Sequence, residues 1–367
     1  MLLKTDAPSY YWVQDSVTWR KQVQASEYAH LMQTWEWGEY KACLGWKPQR
    51  MMIVQNQQER ACVQILIKKL PMSRYSIGYI PRGPLIPLER PLWECMIQGL
   101  TELADEHKLI VIRTEPAYIN SPENRNLLAN FGFHQIMQTN QPRCTILVDI
   151  SHDDADILKQ MNRNCRRLIR KAESAGVTVE TGGEAEVSTF YQHIADTAKR
   201  KHLPLQKPDF YLQAYRGFRP ADHVELLVAK IGNDIVSSLM LFFYKNKSIH
   251  LWGGNSPQGI QSNASHLLHW SALRLAKERG CTECDLWGIP DEIADMLEQG
   301  EDISRSPCEG LWGVYRFKAG FGGNIQCYVG TYDKVFSPVL YRFIRLLTSG
   351  QTTMDRISSF LHRFKTR

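Results

Sequence analysis

The 367-residue chain contains no apolar run approaching the ~20 residues that a membrane-spanning helix needs. Its start, MLLKTDAPSYYW, also lacks the long apolar core of a secretory signal peptide. A cytosolic protein is therefore expected. Cysteine usage points the same way: the nine cysteines are odd in number and scattered, which favours reduced thiols over a disulfide framework. The single CxxC, Cys281 and Cys284 in CTECDLWG, has neither a second pair nor histidines at zinc spacing. No metal site is expected there, and the pair reads as the opening of a buried strand. Covalent catalysis is not signalled either, since G-x-S-x-G is absent and no Cys-His arrangement stands out. The Q/R-x-x-G-x-G/A turn that cradles a CoA pyrophosphate is missing from both halves; GGNSPQGIQ has the glycines without the pattern. The RNP and KH signatures of RNA-binding modules are missing as well.

What the chain does have is a folded composition, 43% hydrophobic and 22% charged. Its length allows two domains of ordinary size. Ten tryptophans and fifteen tyrosines exceed what a core usually needs and hint at aromatic-lined grooves. A net charge of +6 favours an anionic partner.

The pattern of elements is stated twice. In the first half, MMIVQNQQERACVQILIKKL is a hairpin, LWECMIQGLTELADEHK a helix, and LIVIRTEP a short buried strand. The second half repeats this with VELLVAKIGNDIVSSLMLFFYKN, HLLHWSALRLAKERG and CTECDLWGIP. Two copies of hairpin, helix and strand predict a duplicated α/β (α+β) module with a mainly antiparallel sheet. The boundary is expected after CTILVDIS, near Ile150, giving a first domain of 1–150 plus 331–367 and a second of 151–330.

Just past that boundary, DDADILKQMNRNCRRLIRKAESAGVTVE reads as one helix, started by Asp153 or Asp154 and stopped by Gly176. Its charges, Lys159, Arg163, Arg166, Arg167, Arg170 and Lys171, are nearly all of one sign, which repels itself unless an anion lies nearby. Near the C-terminus, GLWGVYRFKAGFGGNIQCYVG carries a lone lysine, Lys318, in an apolar, strand-like stretch that runs into glycines. A surface lysine at a strand end is the simplest account of it.

Several segments, in order along nearly the whole chain, resemble the Fem-type aminoacyltransferases. They are MQTWEWGEYKACLGWKP, YIPRGPLIP, IRTEP, NQPRCTILVDIS, NCRRLIRKAESAGV, LWGGNSP, CDLWGIP and VYRFKAGFGG. With no heptad-patterned insertion, the chain looks like the compact FemX-like members without a coiled-coil arm. The resemblance implies tandem acetyltransferase-like (GNAT-like) domains with an interdomain cleft. It also implies transfer of an amino acid from aminoacyl-tRNA to the stem-peptide amine of a peptidoglycan precursor, lipid II or UDP-MurNAc-pentapeptide. Aminoacyl-tRNA would be a co-substrate, and no further cofactor is expected.

The resemblance also assigns residues. Lys318 aligns with the lysine of the family's FK motif, beside the reaction centre and the tRNA end. Ester aminolysis needs no nucleophilic side chain, but it does need a fixed positive group at the developing oxyanion. Lys41 sits where the family contacts the precursor's phosphates, with Trp37 four residues earlier on the same helical face. Tyr315 joins these substrate-binding candidates. Glu115, at the strand end in IRTEP, is the second catalytic candidate: it accepts a proton from the attacking ammonium, or orients it, or is only a turn acid before Pro116. Arg113 either contacts substrate from the same face or pairs with Glu115. Arg163, Arg166, Arg167, Arg170 and Lys171 are the candidate tRNA contacts. One departure is visible: where compact members place a phosphate-binding arginine, this chain has Glu225, with Arg216 and Arg219 upstream.

In the tail, Met354, Ile357, Phe360, Leu361 and Phe364 recur at helical spacing among Arg356, Arg363, Lys365 and Arg367. Such a basic amphipathic helix either lies on an anionic membrane, making the protein peripheral at its inner face, or docks on the body. A monomer is expected. The competing functions are an acyl-CoA-dependent GNAT-type N-acyltransferase and a non-catalytic tRNA- or RNA-binding protein.

Overall fold

The computed structural model describes residues 7–201, 205–303 and 310–347; the tail helix expected around Met354–Phe364 lies outside them. The chain forms two compact units. One takes the chain up to Gln141 and again from Tyr328 onward, and the other is the continuous stretch Pro142–Cys327.

The first stretch runs β1 (Ser9–Trp12), α1 (Ser16–Ala25), α2 (Trp35–Cys43), β2 (Lys47–Gln55), β3 (Gln58–Lys69), β4 (Ser76–Pro81), α3 (Arg90–His107), β5 (Leu109–Glu115), α4 (Pro122–Asn130) and β6 (His134–Ile136). The β2–β3 hairpin closes through Asn56 and Gln57, both left-handed at φ 52° and 60°, as a two-residue hairpin turn requires. Helix α3 starts with a proline in its first turn and stops at left-handed Lys108. Its Leu92, Met96, Leu100 and Leu103 share one face and bury against Met51, Val63, Ile65 and Ile112 of the sheet. Each such side chain contributes roughly 1.5–3 kcal/mol by leaving water.

The second stretch runs β7 (Cys144–Asp149), α5 (Asp154–Gln160), α6 (Arg163–Ser174), β8 (Val177–Gly182), α7 (Val187–Lys201), α8 (Pro208–Phe218), β9 (Val224–Ile231), β10 (Asp234–Tyr244), β11 (Lys247–Asn255), α9 (Pro257–Gln261), α10 (Ala264–Glu278), β12 (Glu283–Asp285), α11 (Glu292–Glu298), α12 (Gly310–Ala319) and β13 (Asn324–Cys327). The β9–β10 hairpin turns through Gly232 at φ 59°, and α10 packs Leu268, Ala272, Leu273 and Ala276 on the sheet. The chain ends, as described, with β14 (Thr331–Val335) and α13 (Pro338–Leu347).

The two seven-stranded sheets have orders β1-β2-β3-β4-β5-β14-β6 and β13-β7-β12-β11-β10-β9-β8. Read in opposite senses they match: β8 stands for β1, β11 for β4, β12 for β5. In each sheet a single parallel pair, β4·β5 or β11·β12, sits among antiparallel neighbours. The expected duplication of mainly antiparallel modules is therefore present. The strand between the module's fifth strand and its edge, however, is supplied out of order. β14 fills that place in the first sheet and β7 in the second. This is why Cys144–Asp149, expected in the first domain, pairs in the second.

Three local expectations are corrected. Lys318 lies not on a strand but in the last turn of helix α12, because Trp312, Tyr315 and Ala319 recur at helical spacing and pack on the second core. The long basic helix is two helices. Asn162 caps α6 by accepting from the Cys165 amide at 2.8 Å, and Met161 between them is extended at ψ 144°. The thiols are not all reduced either. Cys144 and Cys327, directly opposed on β7 and β13 with Cα atoms 4.2 Å apart, form a disulfide at the entry and exit of the second unit. Their sequence separation of 183 residues hid the pairing. Cys281 and Cys284 are free and buried.

Candidate active site

In the second unit, the parallel pairing of β11 with β12 ends at Ile249 and Asp285, and β11 continues to Asn255 paired only with β10. The carboxyl end of a parallel strand pair is a common place for a ligand crevice. Asp285 closes β12 there, buried, accepting from the Thr145 hydroxyl and from the Trp287 amide at 2.7 Å. Trp287 is left-handed at φ 64°. That is a strained conformation for a bulky residue, costing on the order of 1–3 kcal/mol, and such strain concentrates at functional sites. The next residue, Gly288, accepts from the Lys318 ammonium at 2.7 Å. A Cβ on Gly288 would come within 2.8 Å of Pro142, so only glycine fits the bend.

Aromatic rings cluster around Lys318. Phe317 lies 4.9 Å, centroid to centroid, from both His266 and His269, and His250 lies 5.0 Å from His269. His269 hydrogen-bonds through Nδ1 to the Ser265 carbonyl, whereas neither ring nitrogen of buried His250 has a hydrogen-bond partner among the described residues. Burial lowers the Lys318 pKa from 10.5 to about 7, partly opposed by Asp285 and aided by Lys201. Burial likewise lowers His266 to about 4 and His269 to about 3, and holds His250 well below its ordinary value. The result is a half-buried amine of lowered pKa beside neutral rings.

The basic segment adjoins this centre. The Asn162 amide, at the start of α6, donates to the Gly320 carbonyl at 3.0 Å, just past Lys318. Arg163, Arg167, Arg170 and Lys171 are exposed, and among the described residues none of them forms an ion pair. Arg166 differs from them: half-buried, it donates to the carbonyls of Leu158 and Met161 at 3.2 and 2.6 Å and caps α5. Tyr315 is half-buried beside Trp312, packed on the core. Glu225 is buried and held by Arg219 and Arg279, while Arg216 pairs with Glu184 at 2.6 Å. Both upstream arginines are thus committed to carboxylates.

In the first unit, the parallel pair β4·β5 ends at Pro81 and Glu115, so Glu115 occupies the position Asp285 holds in the other sheet. Its buried carboxylate accepts from the Tyr79 hydroxyl, the Thr331 hydroxyl at 2.8 Å and the Asn140 and Gln141 amides at 2.5 and 3.1 Å. Lys41 and Trp37 do share a face of α2, both mostly buried. The Lys41 ammonium stands 5.7 Å from the Tyr40 ring and 5.8 Å from that of Trp46, which Lys68 approaches to 5.1 Å. Trp46 in turn lies 6.2 Å from Tyr79. Lys41 and Glu115 are thereby brought into one aromatic cluster, with Trp46, Tyr79 and Lys68 as members the sequence reading missed. Arg113 is not among them. It is buried and grips Asp333 through two hydrogen bonds of 2.8 and 2.9 Å, with the Glu115 carboxylate as a further electrostatic partner. Arg82, 2% exposed and 4.5 Å from the Tyr328 ring, is a further buried cation that was missed.

Two sheets of one topology, each with one parallel pair among antiparallel neighbours, define a tandem GNAT-like protein. A tandem GNAT protein from the clavulanic acid biosynthesis pathway superposes with a TM-score of 0.50 at 10% identity, over 89% of this chain and 98% of its own. The crystal structure of FemX superposes with a TM-score of 0.79 at 18% identity, covering 91% of this chain and 99% of that one. The FemAB family model matches residues 16–235 and 232–349, and the chain belongs to the FemAB family. Among its relatives, the lipid II:glycine glycyltransferase of Staphylococcus saprophyticus is 21% identical over 88% of this chain and 92% of that protein. The enzyme of the same name from Staphylococcus aureus strain MRSA252 is 20% identical over the same shares.

Proposed function

We propose that this chain transfers an amino acid from the 3′ end of an aminoacyl-tRNA to the stem-peptide amine of a peptidoglycan precursor, building an interpeptide bridge. The acceptor is lipid II, as in the names of its relatives, or its soluble UDP-linked counterpart. The observation that carries the reading is the Lys318 ammonium, held on the Gly288 carbonyl just past the carboxyl end of a parallel strand pair, its pKa lowered by burial.

The amine of the acceptor attacks the ester carbonyl, forming the C–N bond. The carbonyl oxygen becomes an oxyanion, which Lys318 in its charged form stabilises. The C–O bond to the ribose then breaks, and the ribose oxygen takes the proton the amine releases. Donors of this kind are worth about 10²–10³ in rate. Arg163, Arg167, Arg170 and Lys171 supply the exposed charge for tRNA phosphates next to that centre. In the first unit, Lys41 beside Trp46 suits an acceptor phosphate, with Trp37 and Tyr315 as packing for these sites. Glu115, whose carboxylate accepts from four donors, orients the 140–141 segment. No cofactor beyond the charged tRNA is required.

The test is direct. The protein is incubated with a mixed charged-tRNA pool and either acceptor, and the products are weighed. One added aminoacyl residue, absent with Lys318→Met or with uncharged tRNA, is expected; no mass gain on either acceptor overturns the proposal.

A further inference from the structure

Helix α13, PVLYRFIRLL, has two faces with different fates. Its inner face is fixed to the first unit: the Tyr341 hydroxyl donates to Asp333 at 2.7 Å, and Leu340 and Ile344 are half-buried. Its outer face is apolar and open. Val339, Phe343 and Leu346, at i, i+4 and i+7, are 79%, 58% and 79% exposed. A docked helix gains nothing from such a stripe in water, and a contiguous exposed apolar patch marks an interaction surface. Arg342 and Arg345 flank it, both exposed, and the helix has no acidic residue. Beside the arginines lies an open groove of about 800 Å³, lined by His134, Val335 and Pro338.

We propose that the outer face of α13 seats the protein on an anionic membrane, with Val339, Phe343 and Leu346 among the acyl chains and Arg342 and Arg345 on lipid phosphates. Apolar insertion plus basic flanks is the pairing that interfacial helices use. Charge selects this occupant over two others. A second copy would bring arginines against arginines across a two-fold axis with no acid to meet them. Residues 348–367 are also basic, with Arg356, Arg363, Lys365 and Arg367 against Asp355. The proposal deepens the transferase reading, on which it rests for the reason a membrane is visited: a lipid-linked acceptor resides there.

The experiment is co-sedimentation of the full chain with phosphatidylglycerol–phosphatidylcholine vesicles and with pure phosphatidylcholine. Binding to the anionic vesicles, weakening with salt, is expected. The triple variant Val339→Asp, Phe343→Asp, Leu346→Asp is expected to lower partitioning about tenfold or more. Arg342→Glu with Arg345→Glu is expected to do so comparably and to remove the salt dependence. Both variants should keep the wild-type circular dichroism and transfer to the soluble UDP-linked acceptor. No binding at low salt overturns the proposal, as does equal binding by the triple variant. A concentration-dependent dimer abolished by the same substitutions would assign the face to a second copy and also overturn it. Vesicle binding is read without catalysis, so absence of transfer activity would sink the transferase reading and leave this result standing.

Discussion

Arg113 and Asp333 face each other across β5 and β14, and the guanidinium holds both carboxylate oxygens, at 2.8 and 2.9 Å, where neither residue meets water. The pair fastens a strand made late in the chain to one made early. Removing one partner takes the bidentate counter-ion from a buried charge, which typically costs about 3–5 kcal/mol. Asp333→Ala is therefore expected to destabilise the first unit by that amount in urea unfolding. Replacing both residues together, Arg113→Met with Asp333→Leu, is expected to recover most of the loss.

Lys318 gives a signature in pH. A free-enzyme pKa of about 7 means the ammonium is lost as pH rises through neutrality. If the charged form stabilises the oxyanion, kcat/KM acquires a descending limb near pH 7. Lys318→Arg, which stays charged, is expected to remove that limb, and Lys318→Met to lose about two orders of magnitude below pH 7, a gap that narrows as pH rises, while remaining folded. A threefold loss or less for the methionine variant would return Lys318 to an ordinary lysine.

The four exposed cations of α6 should act on tRNA alone. Changing Arg163, Arg167, Arg170 and Lys171 to Ser is expected to weaken binding of charged and uncharged tRNA alike. It should also flatten the log–log salt dependence by ~0.7–0.9 per lost phosphate contact. Arg166→Ser differs, because that side chain caps α5: thermal stability falls, with little change in salt slope.

The histidine wall predicts acid sensitivity. In the unfolded chain these rings protonate near pH 6.5, but the fold resists protonation until about pH 4 at His266 and about pH 3 at His269. Their contribution to stability is complete above 6.5 and is lost as pH falls toward those values, since only the unfolded state gains protons in that window. His269→Phe is expected to reduce the fall in melting temperature between pH 6.5 and 4 relative to wild type. An unchanged slope would show that His269 titrates normally.

Much of this was legible because local pattern carried it. The hairpins, the helices α3 and α10 and the acid at the end of β5 follow from apolar spacing and turn residues that lie within one segment. Lys318 stands out in the sequence as the lysine before the glycines, but its element does not. Trp, Tyr and Phe around it favour strands, and the 312-315-319 spacing that makes a helix was outweighed. Asn162 was a readable stop inside the basic run, as a side chain that caps helices. What no segment could show were partners far away in sequence. Examples are Asp333 for Arg113, Cys327 for Cys144, the Thr331 hydroxyl on Glu115, and the histidines of β11 and α10 that meet at Lys318.

The out-of-order strand also sets a schedule for synthesis. The second unit is one uninterrupted stretch, Pro142–Cys327, and has its whole sheet as soon as β13 leaves the ribosome. The first unit, begun earlier, must wait: β6 joins its sheet only through β14, so β5 keeps a bare edge until Val335 has been made. A nascent chain therefore finishes its later half first, and carries an unpaired strand edge, the kind of surface chaperones shield, through most of its translation.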